Sequence, residues 1–160
     1  LADLACVYTL STPAGSVLFN NGTLGSGSTD DLYWISEIEG LDGPSIRAQV
    51  DNAPQAHGGI VHTFWKGPRH VTIQGSILVQ SVPWGGDCRG VQNVMEDDLR
   101  EALDSILQAD GTLSWMPEGM GTITRSLTVR NDIRVDFSPQ ENYLIKGFVF
   151  GLVSAAADWS

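Results

Sequence analysis

Val91-Gln92-Asn93-Val94-Met95-Glu96-Asp97-Asp98-Leu99-Arg100-Glu101-Ala102-Leu103-Asp104-Ser105-Ile106-Leu107-Gln108 decides the reading of this chain, because no other segment carries a clear helical period. Met95, Leu99, Ala102, Leu103 and Ile106 recur at i, i+4, i+7, i+8 and i+11. At 3.6 residues per turn that spacing gathers them into an apolar stripe about 100° wide. It predicts a helix over 91–108 with Asn93 as N-cap, Glu96, Asp97 and Asp98 near the positive end of the dipole, and Ala109-Asp110-Gly111 as the stop. Such a stripe has to be buried, and everything around it reads as strand or turn. The helix is therefore expected to cover one face of a β-rich core.

Outward from the helix, residues 4–12 and 16–19 flank Pro13-Ala14-Gly15 as a hairpin, with a turn at Asn20-Asn21-Gly22 directly behind it. Residues 24–31 contain Gly25-Ser26-Gly27-Ser28-Thr29-Asp30, an exposed polar loop. Ile46, Ala48 and Val50 alternate with Arg47, Gln49 and Asp51, a half-buried strand. Residues 69–80 make the cleanest strand, with Val71, Ile73, Ile77 and Val79 on one face, and Gly75 on that face marks a bulge or a close backbone approach. Two further strands are expected at 122–130 and 133–137, and residues 143–153, apolar on both faces, read as a central strand. The fold class expected is mainly β, a two-sheet β-sandwich with one α-helix packed on it.

The 160 residues, 42% of them apolar, suit a single domain spanning 1–160. Because the chain opens on Leu1 and stops at Trp159-Ser160, it is also read as a piece of a longer one. Nine Lys and Arg against nineteen Asp and Glu give a formal net charge of −10. That balance removes the electrostatic attraction on which nucleic-acid and anionic-membrane binding depend. The apolar run 148–157 is too short to cross a bilayer. Cys6 and Cys88 are far apart and in no metal-type spacing, and are read as reduced and structural.

Catalytic chemistry finds little support. His57, His62 and His70 match no ligand spacing, and no Gly-x-Ser-x-Gly elbow is present. Glu96, Asp97 and Asp98 diverge by about 100° per residue on a helix, so they cannot converge on one substrate. Five tryptophans, at 34, 65, 84, 115 and 159, could build a sugar-stacking platform, but they border apolar strands and suit packing better. The expectation is no enzyme, no cofactor and no metal.

The order of short tracts carries a resemblance. The N-terminal hairpin, Ile38-Glu39-Gly40-Leu41-Asp42-Gly43-Pro44 leading into Ile46-Arg47, Phe64-Trp65-Lys66-Gly67-Pro68-Arg69-His70-Val71-Thr72-Ile73-Gln74-Gly75, the helix, Asp110-Gly111-Thr112-Leu113-Ser114-Trp115 and Leu127-Thr128-Val129-Arg130 together resemble the N-terminal domain of distal tail proteins from long-tailed bacteriophages. The resemblance implies a tail-tube-like fold and a homohexameric ring between the tail tube protein and the tail-tip hub or baseplate protein. It also implies a channel for DNA as passing cargo, no membrane, a place at the virion tail tip, and assembly in the host cytoplasm. On that reading the subunit seams fall near residues 40–51 and 65–69, with Arg47, Asp51, Trp65 and Arg69 as interface residues. The channel-facing acids are Asp30, Asp31, Glu37 and Glu39. The alternatives are a carbohydrate-binding β-sandwich module, another tail-tube-like ring protein, or, more remotely, a small hydrolase.

Overall fold

The computed structural model describes residues 6–25, 27–41, 46–52, 59–82, 86–117, 122–138 and 145–155, with 46–52 and 59–66 described by backbone alone. The chain runs β1 (Tyr8–Thr12), β2 (Gly15–Phe19), β3 (Leu32–Glu39), β4 (Ile46–Asn52), β5 (Gly59–Lys66), β6 (Arg69–Leu78), α1 (Cys88–Ser105), β7 (Gly111–Trp115), β8 (Arg125–Ser138) and β9 (Ile145–Ser154). Seven strands close into a barrel in the order β1-β2-β3-β6-β9-β8-β7, while among the described residues β4 and β5 pair only with each other. All barrel pairs are antiparallel except β2 with β3, which meet in parallel at Phe19 and Tyr33.

The barrel corrects the two-sheet sandwich expected above. Strand alternation reports that one face is buried, and it is the same whether a sheet stacks on another or curls onto itself. What closes this sheet is the pairing of β1 with β7, from Tyr8 opposite Trp115 to Ser11 opposite Thr112. The curvature comes from bulges, which kink and twist a strand locally. One lies in β3 between Ile35 and Glu37, and two lie in β8 between Asn131 and Ile133 and between Ile133 and Asp136. Those two bulges let one long β8 replace the two strands expected at 122–130 and 133–137, pairing first with β7 and then with β9.

Inside, Phe19, Phe148 and Phe150 are buried with ring centroids 5.9–6.2 Å apart. Gly75 faces this cluster between Ile35 of β3 and Phe148 of β9, and a Cβ there would strike the Trp34 carbonyl oxygen and sit 2.9 Å from the Phe148 ring. It is the close approach anticipated. The central position expected of residues 143–153 also holds, since β9 pairs with β6 on one side and β8 on the other.

The helix begins earlier than its apolar stripe suggested. Asp87, not Asn93, is the N-cap, accepting from the Gly90 backbone N–H at 3.1 Å, so the acids at 96–98 fall beyond the first turn. Leu99, Leu103 and Ile106 are at most 1% exposed and share one core cluster with Val71, Ile73, Ile77 and Val79, with Met95 partly buried against it. The helix touches β1, β2, β6 and β8, which stand on opposite walls of the barrel. It is therefore a stopper across the barrel, where the sandwich reading had made it a cap on one face.

Candidate functional site

Sequence reasoning placed its interface residues in two tracts that the fold brings to one feature. β4 and β5 form a two-stranded arm inserted between β3 and β6, which are neighbours in the barrel wall. At about 3.3 Å per residue the arm is roughly 23–26 Å long. A two-stranded ribbon alone is only marginally stable, so its base matters. Arg47 and Trp65 stand opposite each other one step from that base, and Asp51 pairs with Ile60 toward the tip; the side chains of these residues lie outside the described set.

The neck of the arm is held by two contacts. Gly40, with φ of +90°, packs against the His70 carbonyl oxygen so closely that a Cβ would overlap it. Arg69, the fourth expected interface residue, is only 2% exposed, and its Nη1 donates to the Leu41 carbonyl oxygen at 2.7 Å. A guanidinium at the start of an apolar strand looks like a surface charge in sequence. In the fold it closes the strand-to-arm junction within its own chain.

The expected channel acids divide into two pairs. Asp31 takes its hydrogen bonds from the far end of β6: its Oδ1 accepts from the backbone N–H of Gln80 and Ser81 at 2.8 and 2.9 Å, and its Oδ2 from the Ser81 hydroxyl at 2.6 Å. Asp30 Oδ2 accepts from the Thr23 backbone N–H at 2.8 Å. These carboxylates fasten the 20–31 loop. Gln80, which sequence reasoning passed over, completes the job: its Nε2 donates to the Thr23 and Asp30 carbonyls at 2.9 and 2.7 Å, and its Oε1 accepts from the Gly25 N–H at 3.2 Å. Glu37 and Glu39 are exposed on β3, leading into the arm neck.

Asn20 was also missed, hidden in what reads as an ordinary Asn-Gly turn. With φ of +61° it is one of the few side chains that tolerate the left-handed region, and it is 6% exposed. Its Nδ2 donates to the Cys6 carbonyl at 3.3 Å and its Oδ1 accepts from the Ile35 N–H at 2.8 Å. Asn20 thereby joins β2 to β3 where their parallel pairing is limited to one residue pair.

At the helix, Glu96 bonds Lys146 at 2.5 Å and Arg100 at 3.0 Å, and both cations lie within 5.6 Å of the Phe137 ring centroid. The Tyr33 hydroxyl donates to the Met95 carbonyl at 2.6 Å. Burial, and after it the charge of Asp98, hold the Tyr33 phenol above its ordinary value of 10.0. A raised folded-state value leaves stability intact below that pH and erodes it above, where the unfolded chain releases the proton and the folded chain keeps it. Tyr33→Phe should therefore flatten the alkaline loss of stability, seen by comparing urea midpoints at about pH 9 and about pH 11.

No group of three His, Cys, Asp or Glu side chains among the described residues could hold a metal. His70 Nδ1 lies 3.1 Å from Asp132 Oδ2 as an exposed pair, while the side chains of His57 and His62 lie outside the described set. Of the tryptophans, Trp115 is 6% exposed and packs on Tyr8, and Trp34 is half-buried; Trp65, Trp84 and Trp159 lie outside the described side chains. The described part of the proposed sugar platform is thus divided between the core and the wall.

No protein-family model matches the sequence, and no curated protein matches it. Among solved structures, the chain is similar to the Dit protein (gp 19.1) of phage SPP1, described as a paradigm of the hub adsorption apparatus in phages infecting Gram-positive hosts. The TM-score is 0.58 at 10% sequence identity, over 94% of this chain and 51% of that one. The present chain thus spans about half the length of the protein it matches, and what the two share is the fold.

Proposed function

We propose that this chain is a structural protein of a bacteriophage tail whose copies form a six-membered ring, joining the end of the tail tube to the tail-tip hub or baseplate and leaving a channel for DNA. The observation that carries the reading is the fold it shares, along 94% of its length, with a phage hub adsorption protein. The arm supports it, because a ribbon of two strands that among the described residues pairs with no barrel strand gains stability by lying against a neighbour. Arg47, Asp51 and Trp65 are on that arm, and Arg69 fixes the base from which it leaves. On this reading the partners are further copies of the chain, the tail tube protein and the hub or baseplate protein. The location is the virion tail tip, after assembly in the host cytoplasm.

The mass of the assembled particle tests the ring. Six times the 17.2 kDa chain is the expected unit, and a copy number other than six or its multiples overturns the proposal. Exposed Glu37 and Glu39 give the channel a second test. An acidic lining repels the duplex, whereas a basic one binds it through phosphate neutralisation. Particles carrying Glu37→Lys with Glu39→Lys should release DNA more slowly, with the delay relieved as salt screens the contact. Unchanged release would remove these two residues from the channel wall.

A further inference from the structure

Asn-Gly occurs once in the chain, at Asn21-Gly22, directly behind the end of β2. Asparagine is among the chemically labile side chains, because its amide carbon can be attacked by the backbone nitrogen of the residue that follows. The attack is easiest when that residue is glycine, which has no Cβ to crowd the approach. At Asn21 the fold leaves both reacting groups free to meet. Both residues are exposed, and neither the Asn21 side chain nor the Gly22 N–H makes a hydrogen bond among the described residues. The glycine is demanded by the fold: with φ of +155° and a would-be Cβ 2.5 Å from Leu32, position 22 does not suit a larger residue.

The other asparagines with described side chains are held away from this chemistry. Asn20 is 6% exposed, with its amide bonded at both ends. Asn131 is 5% exposed, and its Nδ2 donates to the Ile133 and Gly151 carbonyls at 2.9 Å. Asn93 is exposed but precedes the β-branched Val94, whose N–H lies inside α1 and is committed to the helix ladder.

We propose that Asn21 is a site of spontaneous covalent modification in the folded protein, losing its amide to give aspartate and isoaspartate. The Gly22 nitrogen bonds to Asn21 Cγ, the Cγ–Nδ2 bond breaks, and the amide leaves as ammonia with the proton shed by Gly22. Water then opens the cyclic imide. Addition at Cγ restores the main chain and leaves an aspartate. Addition at the main-chain carbonyl leaves Gly22 joined through Cγ, an isoaspartate with an additional carbon in the main chain. No electrons change hands, and water is the co-reactant.

The lengthened link falls between two fixed points. On one side the Asn20 N–H donates to the Tyr33 carbonyl at 2.8 Å, and on the other the Thr23 N–H donates to Asp30 at 2.8 Å. Consecutive Cα atoms are about 3.8 Å apart, so an inserted carbon is a large change over so short a span and displaces one anchor or the other. Both products also add a carboxylate to a loop that already carries Asp30 and Asp31. The modification therefore loosens the junction of β2 and β3, which rests on the single pair Phe19 and Tyr33. This inference does not depend on the ring reading.

The test ages the full folded chain in warm, mildly alkaline buffer, then maps amide loss by peptide mass spectrometry and stability by the urea midpoint. Amide loss is expected at Asn21, with Asn20, Asn93 and Asn131 intact, and the aged protein should unfold at lower urea than the fresh one. Asn21→Gln changes an exposed, unbonded side chain and needs a larger, slower-closing ring, so on ageing it should show neither the product nor the shift. Intact Asn21 in the aged folded chain overturns the proposal, and amide loss in the same chain aged in urea would show that the fold protects the site. Loss spread evenly over the asparagines overturns the selectivity. Product at Asn21 with an unchanged midpoint, or an equal shift in aged Asn21→Gln, overturns the link to the junction.

Discussion

Gly40→Ala should cost about 2–5 kcal/mol of stability, adding a left-handed backbone penalty of about 1–2 kcal/mol to an overpacking penalty of about 1–3 kcal/mol. Both follow from the same position. Gly40 directly follows β3 with φ of +90°, and its missing Cβ is the space occupied by the His70 carbonyl oxygen at the start of β6. The obstacle is backbone, so it cannot rotate away as a flexible side chain would. Because this is where the chain leaves the barrel for the arm, hydrogen exchange should speed up in β4 and β5 together with the fall in the urea midpoint. Gly25→Ala is the control. It has φ of +115° but nothing within 4 Å of the added Cβ, so it reports the backbone penalty alone. Equal losses at the two glycines would show that the neck yields to a side chain and that the arm is not fixed at its base.

What could be read from the sequence, and what could not, divides by the range of the interaction. The helix stripe of Leu99, Leu103 and Ile106 and the inward face of Val71, Ile73 and Ile77 are local periodicities, and the fold buries both sets. Barrel closure depends on Tyr8 meeting Trp115 across more than a hundred residues, and neither strand carries a local sign of its partner. The helix start was misplaced because Arg89 and Gly90 interrupt the apolar pattern, although Asp87 caps the helix and Cys88, seven residues before Met95, is buried in the same core. At the candidate site, the sequence singled out residues on the arm and, in Arg69, one at its base whose bond inside its own chain it did not foresee. Arg69 is used internally because the Leu41 carbonyl needs a donor, and Asp30 and Asp31 because the loop amides need acceptors. Polar groups answering a backbone demand look the same in a sequence as polar groups facing water.

Leu103→Ala should cost about 2–5 kcal/mol, a large share of the roughly 5–15 kcal/mol that holds a typical domain folded. Leu103 is 1% exposed in the shared core of helix and barrel, so removing its branched end leaves a cavity between elements that cannot easily close around it. Val94→Ala, at a position 60% exposed on the same helix, should change stability by no more than about 0.5 kcal/mol. The pair of variants also distinguishes the stopper from a cap. A cap helix on one face of a sandwich can loosen while the sheets stay paired, whereas a helix touching opposite walls shares one core cluster with the barrel strands. Leu103→Ala should therefore lower the protection of strand amides in β7 and β9 as much as that of the helix, in one cooperative transition. Early loss of helix protection with the strand amides unaffected would mean that the barrel holds its shape without α1, and would return the helix to the role of a cap.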